Sequence, residues 1–138
     1  RKNKGLLIGG YVIMSNHIHV IWTANNNNLS DIVRDFKTFT SKAITSSIQN
    51  EPESRREWLL YMFRFFANRT NANDNFKVWT ANNHPEEIHS DSMLKIKLNY
   101  IHENPVRAGL VQEPDHFIYS SAADYADKKG IMEIDFLY

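Results

Sequence analysis

The sequence predicts an α+β fold, an antiparallel β-hairpin followed by helices in one domain, and two observations carry that prediction. From Leu6 to Trp22, two apolar runs rich in β-branched and aromatic residues flank the polar pair Ser15-Asn16, which is the pattern of two strands joined by a tight turn. From Leu29 onward, and again from Ser92, apolar residues recur at three- and four-residue steps, the spacing of helices with one buried face. Strands followed by helices, rather than strict alternation, give the α+β class.

Composition sets the outer limits. The 138 residues, 42% of them hydrophobic and 12% aromatic, suffice for a single compact domain over 1–138. Sixteen basic and sixteen acidic residues balance to a formal charge of zero, so no global positive field draws in nucleic acid, and any such binding needs a local patch. Cysteine is absent, which removes thiolate metal sites, disulfides and cysteine nucleophiles from consideration. No apolar run is long enough to span a bilayer, and Arg1-Lys2-Asn3-Lys4 leads straight into a strand-like segment. A soluble, cytoplasmic protein is expected, with its natural start upstream of Arg1.

In chain order, the first strand covers Leu6 to Met14 and the second His17 to Trp22. Asn25 to Asn28 form a connecting loop, with Asn28 or Ser30 as N-cap and Asp31 in the first turn of a helix running to about Gln49. Ile32, Val33, Phe36, Phe39, Ala43, Ile44 and Ile48 make its expected core face. Arg34, Lys37, Thr38, Ser41 and Lys42 lie opposite, a set suited to phosphate oxygens. Asp31 and Asp35 beside them fit a plain solvated face equally well.

After the break at Glu51-Pro52-Glu53-Ser54, the segment from Arg55 to Asn68 reads as a shorter helix with aromatic residues nearly all round. Burial on more than one side, or an interface, would use them; base stacking is the alternative. A polar loop from Asn68 to Asn75 precedes a short strand, Phe76 to Thr80, and a turn from Asn82 to Glu87. Ser90 or Asp91 caps a last helix, Ser92 to about Glu103, expected to stop because Pro105 cannot continue it. Leu94, Leu98 and Ile101 form its core stripe, with Met93, Lys97, Tyr100 and Asn104 aligned along one side. Gly109 suits a turn or the position just past a helix, and Asp115 to Tyr125 a packed segment ahead of the apolar run from Ile131 to Tyr138.

The chemistry centres on His17-Ile18-His19. On a strand the two imidazoles project to one face, giving two of the three ligands of an open metal site, although a histidine pair also occurs as simple surface decoration. Asn104 would supply a third, oxygen ligand and leave positions for water and a phosphate. One helical turn away, the phenol of Tyr100 could attack phosphorus, with activation from a metal, a base or a cation such as Lys97.

These residues carry a resemblance. Tyr11-Val-Ile-Met-Ser-Asn-His-Ile-His-Val-Ile21, Asn83-His84-Pro85, Asn99-Tyr-Ile-His-Glu-Asn-Pro-Val-Arg-Ala-Gly-Leu-Val111 and Tyr119-Ser-Ser121 together resemble the REP-associated tyrosine transposases, a branch of the single-tyrosine HUH transposases related to the IS200 type. The resemblance implies a ferredoxin-like (RRM-like) antiparallel sheet with helices on one face. It implies a divalent ion, Mg²⁺ or Mn²⁺, held by His17, His19 and Asn104, and a scissile phosphate in single-stranded or hairpin DNA. It assigns Tyr100 as the nucleophile, forming a 5′-phosphotyrosine, in a bacterial, nucleoid-associated protein. Arg34, Lys37, Lys42, Lys97 and Arg107 are the candidate phosphate contacts. His84, His89, His102 and His116 are expected at the surface or in turns, with His102 turned about 200° away from Tyr100.

Two departures from the family pattern stand out. Ser15 replaces the usual proline of the turn, which loosens it slightly. The family's first strand and helix, which precede the hairpin, are missing, so an inner sheet edge is expected to lie open and a homodimer through sheet-edge pairing is expected to cover it. A hairpin-DNA-binding domain without cleavage activity is the alternative function, and a small-substrate metal hydrolase is disfavoured because no carboxylate base is spaced beside the histidines.

Overall fold

A computed structural model describes residues 5–26, 28–70 and 75–137. It contains two antiparallel strands, β1 (Leu6–Ile13) and β2 (Ile18–Ala24), and three helices, α1 (Leu29–Asn50), α2 (Arg56–Arg69) and α3 (Asp91–Arg107). Short 3₁₀ turns at Pro114–His116 and Asp124–Ala126 follow. Part of the loop expected over Asn68 to Asn75, part of that over Asn25 to Asn28, and Tyr138 lie outside the described residues. Among the described residues no helix is long and apolar enough to cross a membrane. Two compact units are distinguished, Arg1–Leu29 with Glu86–Tyr138, and Ser30–Pro85.

In the first unit β1 and β2 pair from Leu6 opposite Ala24 to Ile13 opposite Ile18, with an irregularity between Ile8 and Gly10. The hairpin is closed by Met14 N–H donating to the His17 carbonyl at 2.9 Å. Non-glycine residues with positive φ are His84 and Asp127 among those described, so Ser15 and Asn16 turn the chain without the left-handed backbone of the mirror-image hairpin turns. Val12, Ile21, Leu94, Leu98 and Ile101 form the buried core, with Met14, Ile88, Phe117, Tyr125 and Leu137 packed against it. Each such side chain contributes about 1.5–3 kcal/mol on burial, and together they fix α3 against one face of the hairpin. The core stripe expected for this helix is the one observed.

The second edge of β1 is covered by the tail. Ser120 bridges to Val12, Ile13 N–H donates to the Tyr119 carbonyl at 2.9 Å, Ser121 N–H to the Tyr11 carbonyl at 3.0 Å, and Asp135 N–H to the Ile8 carbonyl at 2.8 Å. Beyond β1, no strand pairs with β2 among the described residues.

Helix α3 outruns its expected end. Pro105 lies inside it and the helix continues to Arg107. Pro105 brings no N–H for the Ile101 carbonyl; the Asn104 side-chain amide, Nδ2, lies 3.5 Å from that oxygen and donates to the Tyr100 carbonyl at 2.9 Å. The end itself is a Schellman motif: Gly109, with φ 70°, donates to the Val106 carbonyl, and Leu110 to that of Pro105, each at 2.9 Å. At the other end Ser90 Oγ accepts from Met93 N–H at 3.2 Å, the expected cap.

From Asn28 to Thr80 the structure departs from expectation in four places. In α1 the buried residues are Ile32 and Thr45, while Phe39 is 73% exposed; the inward line runs through Thr40, whose hydroxyl accepts from the Trp79 indole at 2.8 Å. Asn28 precedes the helix without capping it, its Oδ1 being buried with no hydrogen-bond partner among the described residues. Residues 76–80 are irregular rather than a strand, because they are strapped to helices: Lys77 N–H donates to the Phe63 carbonyl at 3.0 Å, and the Arg64 guanidinium lies 5.0 Å from the Phe76 ring centroid. In α2, burial on several sides is not found. Ala67 is buried, and Trp58, Tyr61, Phe65 and Phe66 are exposed.

Candidate phosphoryl-transfer site

The register of the hairpin aims the histidines. His19 stands opposite Val12, and directly opposed residues share a sheet face, so His19 projects to the side where Val12 meets α3. His17 sits just ahead of β2, and the two imidazoles meet edge to face with centroids 5.1 Å apart. On α3, Tyr100 flanks the buried Leu98 and Ile101 and is 44% exposed. Its ring meets His19 edge to face at 5.7 Å. The histidine pair of the hairpin and a tyrosine some eighty residues later in the chain thus converge on one exposed patch.

Burial, and then the neighbouring His17, hold the His19 imidazole below its ordinary range. At neutral pH it is therefore uncharged, the form that binds metal. His17 Nδ1 lies 2.7 Å from Asn16 Oδ1. An amide oxygen only accepts, so this contact is a hydrogen bond when Nδ1 is the nitrogen that carries the hydrogen.

Asn104 lies one turn beyond Tyr100, and its Nδ2 is committed to helix carbonyls. Oδ1 is left as the acceptor able to serve as a ligand. Arg107, seven residues past Tyr100 and so on the same helix face, places its guanidinium carbon 5.3 Å from the Tyr100 ring centroid. That contact was hidden in the sequence by the expectation that Pro105 ends the helix.

The other cations are differently placed. Lys97 Nζ pairs with Glu86 Oε2 at 2.6 Å. Arg34, Lys37 and Lys42 belong to the second unit. There Arg34 pairs with Asp31 at 2.7 Å and Asp35 at 3.0 Å. Lys37 donates to the Thr80 carbonyl at 2.7 Å, and burial followed by Lys77 holds its ammonium below the usual range. Lys42 is exposed.

His102 is a correction. It faces away from Tyr100 as its position on the helix requires, but it is 7% exposed rather than at the surface. Its Nε2 lies 2.8 Å from Ser121 Oγ, and its ring 5.3 Å from that of Tyr125. An even polar–apolar alternation along the helix could not reveal this, because the partner, Ser121, comes from the tail. His84, His89 and His116 are exposed, as expected.

Among the described residues no cluster of three or more histidines, cysteines or carboxylates could hold a metal ion. The donors brought together are the two imidazoles, with the Asn104 amide oxygen available on α3 one turn beyond Tyr100, a set that would leave an ion short of ligands and charge. A phosphate oxygen and water complete such a set, so the residues fit a divalent ion bound together with a phosphodiester.

The fold and site therefore define an α+β protein that brings a histidine pair and a tyrosine to one surface suited to phosphate chemistry. A family described as "Transposase IS200 like" matches residues 1–103 of the 138, and the chain belongs to it. The match includes His17, His19 and Tyr100. Membership implies a transposase role, an enzyme that cleaves DNA, and DNA as partner. No curated protein and no solved structure gives a match.

Proposed function

We propose that the chain is the catalytic domain of a REP-associated tyrosine transposase that cuts and rejoins single-stranded or hairpin DNA. The observation that carries the reading is the contact of Tyr100 with His19 and of His19 with His17, which joins a nucleophile from a helix to metal ligands from a hairpin. The Tyr100 phenol oxygen forms a bond to phosphorus while the bond from phosphorus to the departing 3′ oxygen breaks. The phenol proton leaves, and the 3′ oxygen gains one. A 5′-phosphotyrosine and a free 3′-hydroxyl result, and religation is the reverse.

His17 and His19, with Asn104 Oδ1, would hold Mg²⁺ or Mn²⁺. The ion, when bound, supplies Lewis-acid polarisation of the phosphate. Arg107 lies over the nucleophile's ring, within range of a phosphate seated there, and together with Lys97, Arg34, Lys37 and Lys42 would contact the DNA backbone. The REP-associated branch is favoured by the Asn-Pro-Val-Arg-Ala-Gly run that shapes the end of α3, and by Tyr119-Ser-Ser121, whose serines are 1% and 0% exposed against β1. The hairpin with α3 on one face is compatible with the ferredoxin-like sheet of that family, and pairing of β2 edges in a homodimer would extend it.

Incubation with hairpin DNA and Mn²⁺ should yield a covalent protein–DNA adduct. Tyr100→Phe should bind the DNA and form none; binding that is indifferent to metal, with no cleavage by wild type, would favour the DNA-binding alternative.

A further inference from the structure

We infer that Asn16 is a positioning residue for His17, holding its ring in the tautomer that offers Nε2 to a metal ion. The inference rests on the reading of His17 and His19 as metal ligands. On a regular strand Asn16 and His17 would point to opposite faces, and no hydrogen bond between their side chains could form. The turn removes that restriction. With Met14 N–H bonded to the His17 carbonyl at 2.9 Å, Asn16 lies in the hairpin loop, and its Oδ1 comes to 2.7 Å from His17 Nδ1.

What the contact does follows from the chemistry of its two ends. An amide oxygen accepts and cannot donate, so the hydrogen sits on Nδ1, the minority position in a free histidine side chain. In the neutral ring the second nitrogen then keeps its lone pair, as metal-bound imidazoles require. Both side chains are exposed, so the bond adds little to folding stability; its effect is on ring orientation and tautomer. His19 differs, because its ring is wedged between those of His17 and Tyr100. His17, outside the strand ladder, is the ligand that depends on a local partner.

The test uses the whole chain with Mn²⁺ as the probe, in parallel with the His17 ring nitrogens observed by NMR without metal. Wild type should show Nδ1 protonated. Asn16→Ala should lower Mn²⁺ affinity by about 10- to 100-fold with the hydrogen moved largely to Nε2, at unchanged melting temperature. Asn16→Asp, which keeps the acceptor, should bind Mn²⁺ at least as tightly as wild type. Unaltered affinity in Asn16→Ala, or Nε2 protonation of His17 in wild type, would overturn the inference. If wild type binds no Mn²⁺ and His17→Ala changes nothing, the metal-site reading fails and this inference with it; Mn²⁺ binding lost in His17→Ala but kept in Asn16→Ala rejects the role of Asn16 alone.

Discussion

The rings of His19 and Tyr100 meet edge to face with centroids 5.7 Å apart, and that contact depends on how closely α3 sits on the hairpin. Gly10 sets the spacing. A Cβ added there would come within 2.6 Å of Leu98 Cδ2, two residues before Tyr100 in a side chain that is 4% exposed. Gly10→Ala should therefore destabilise the chain by about 1–3 kcal/mol and displace α3. Denaturant unfolding and the rate of adduct formation together check this, and a variant with wild-type stability and rate would show that Leu98 yields freely.

Ser121 ties the tail to β1. Its Oγ lies 2.9 Å from Tyr11 N–H, 3.2 Å from the Tyr11 carbonyl and 2.8 Å from His102 Nε2, with no exposure to solvent. Ser121→Ala leaves a buried N–H and a buried ring nitrogen without these partners, at a cost of about 1–3 kcal/mol. Urea unfolding of the variant is the measurement, and a loss below about 0.5 kcal/mol would indicate that water replaces the hydroxyl.

Burial brings the His102 imidazole down to about 4, against the pull of the Asp124 carboxylate in the opposite direction. The unfolded chain takes up a proton near the ordinary value of about 6.5, whereas the folded chain resists until about 4. This contribution to stability is complete above about pH 6.5 and is lost as pH falls toward about 4, by roughly 3 kcal/mol. His19, also held low by burial and His17, acts with the same sign. Unfolding free energies measured across that window should slope for wild type and flatten in His102→Gln; equal slopes would place the titration elsewhere.

Lys97 can reach DNA phosphate only by leaving Glu86, 2.6 Å away. Glu86→Gln should release it, strengthening binding to single-stranded DNA about threefold and steepening its salt dependence. Salt-dependent binding isotherms would show this, and unchanged isotherms would remove Lys97 from the interface.

Much of the architecture was legible because it follows local rules. Apolar, β-branched runs around a polar break marked the hairpin, three- and four-residue spacing marked α1 and the core stripe of α3, and the aromatic-rich run after Glu51-Pro52-Glu53-Ser54 marked α2. Tyr100 and the histidine pair could be paired in advance from the chemistry their residue types offer together, although strand periodicity alone does not place His17, which lies just ahead of β2. Where the reading failed, particular side-chain and capping contacts decided the outcome. Asn104 and the Gly109 cap carry α3 through Pro105, which brings Arg107 over the Tyr100 ring; a tail serine buries His102; and helix contacts, not a neighbouring strand, hold residues 76–80. The cover that the tail gives to β1 was not anticipated.

The central claim is that Tyr100 becomes covalently joined to DNA beside the histidine pair. The direct measurement is mass spectrometry of peptides from protein incubated with 5′-labelled and 3′-labelled hairpin DNA and Mn²⁺. The account predicts a nucleotide on the peptide containing Tyr100, linked through the 5′ phosphate, and none in Tyr100→Phe. An adduct on Tyr119 or another tyrosine, or one that survives in Tyr100→Phe, would contradict it.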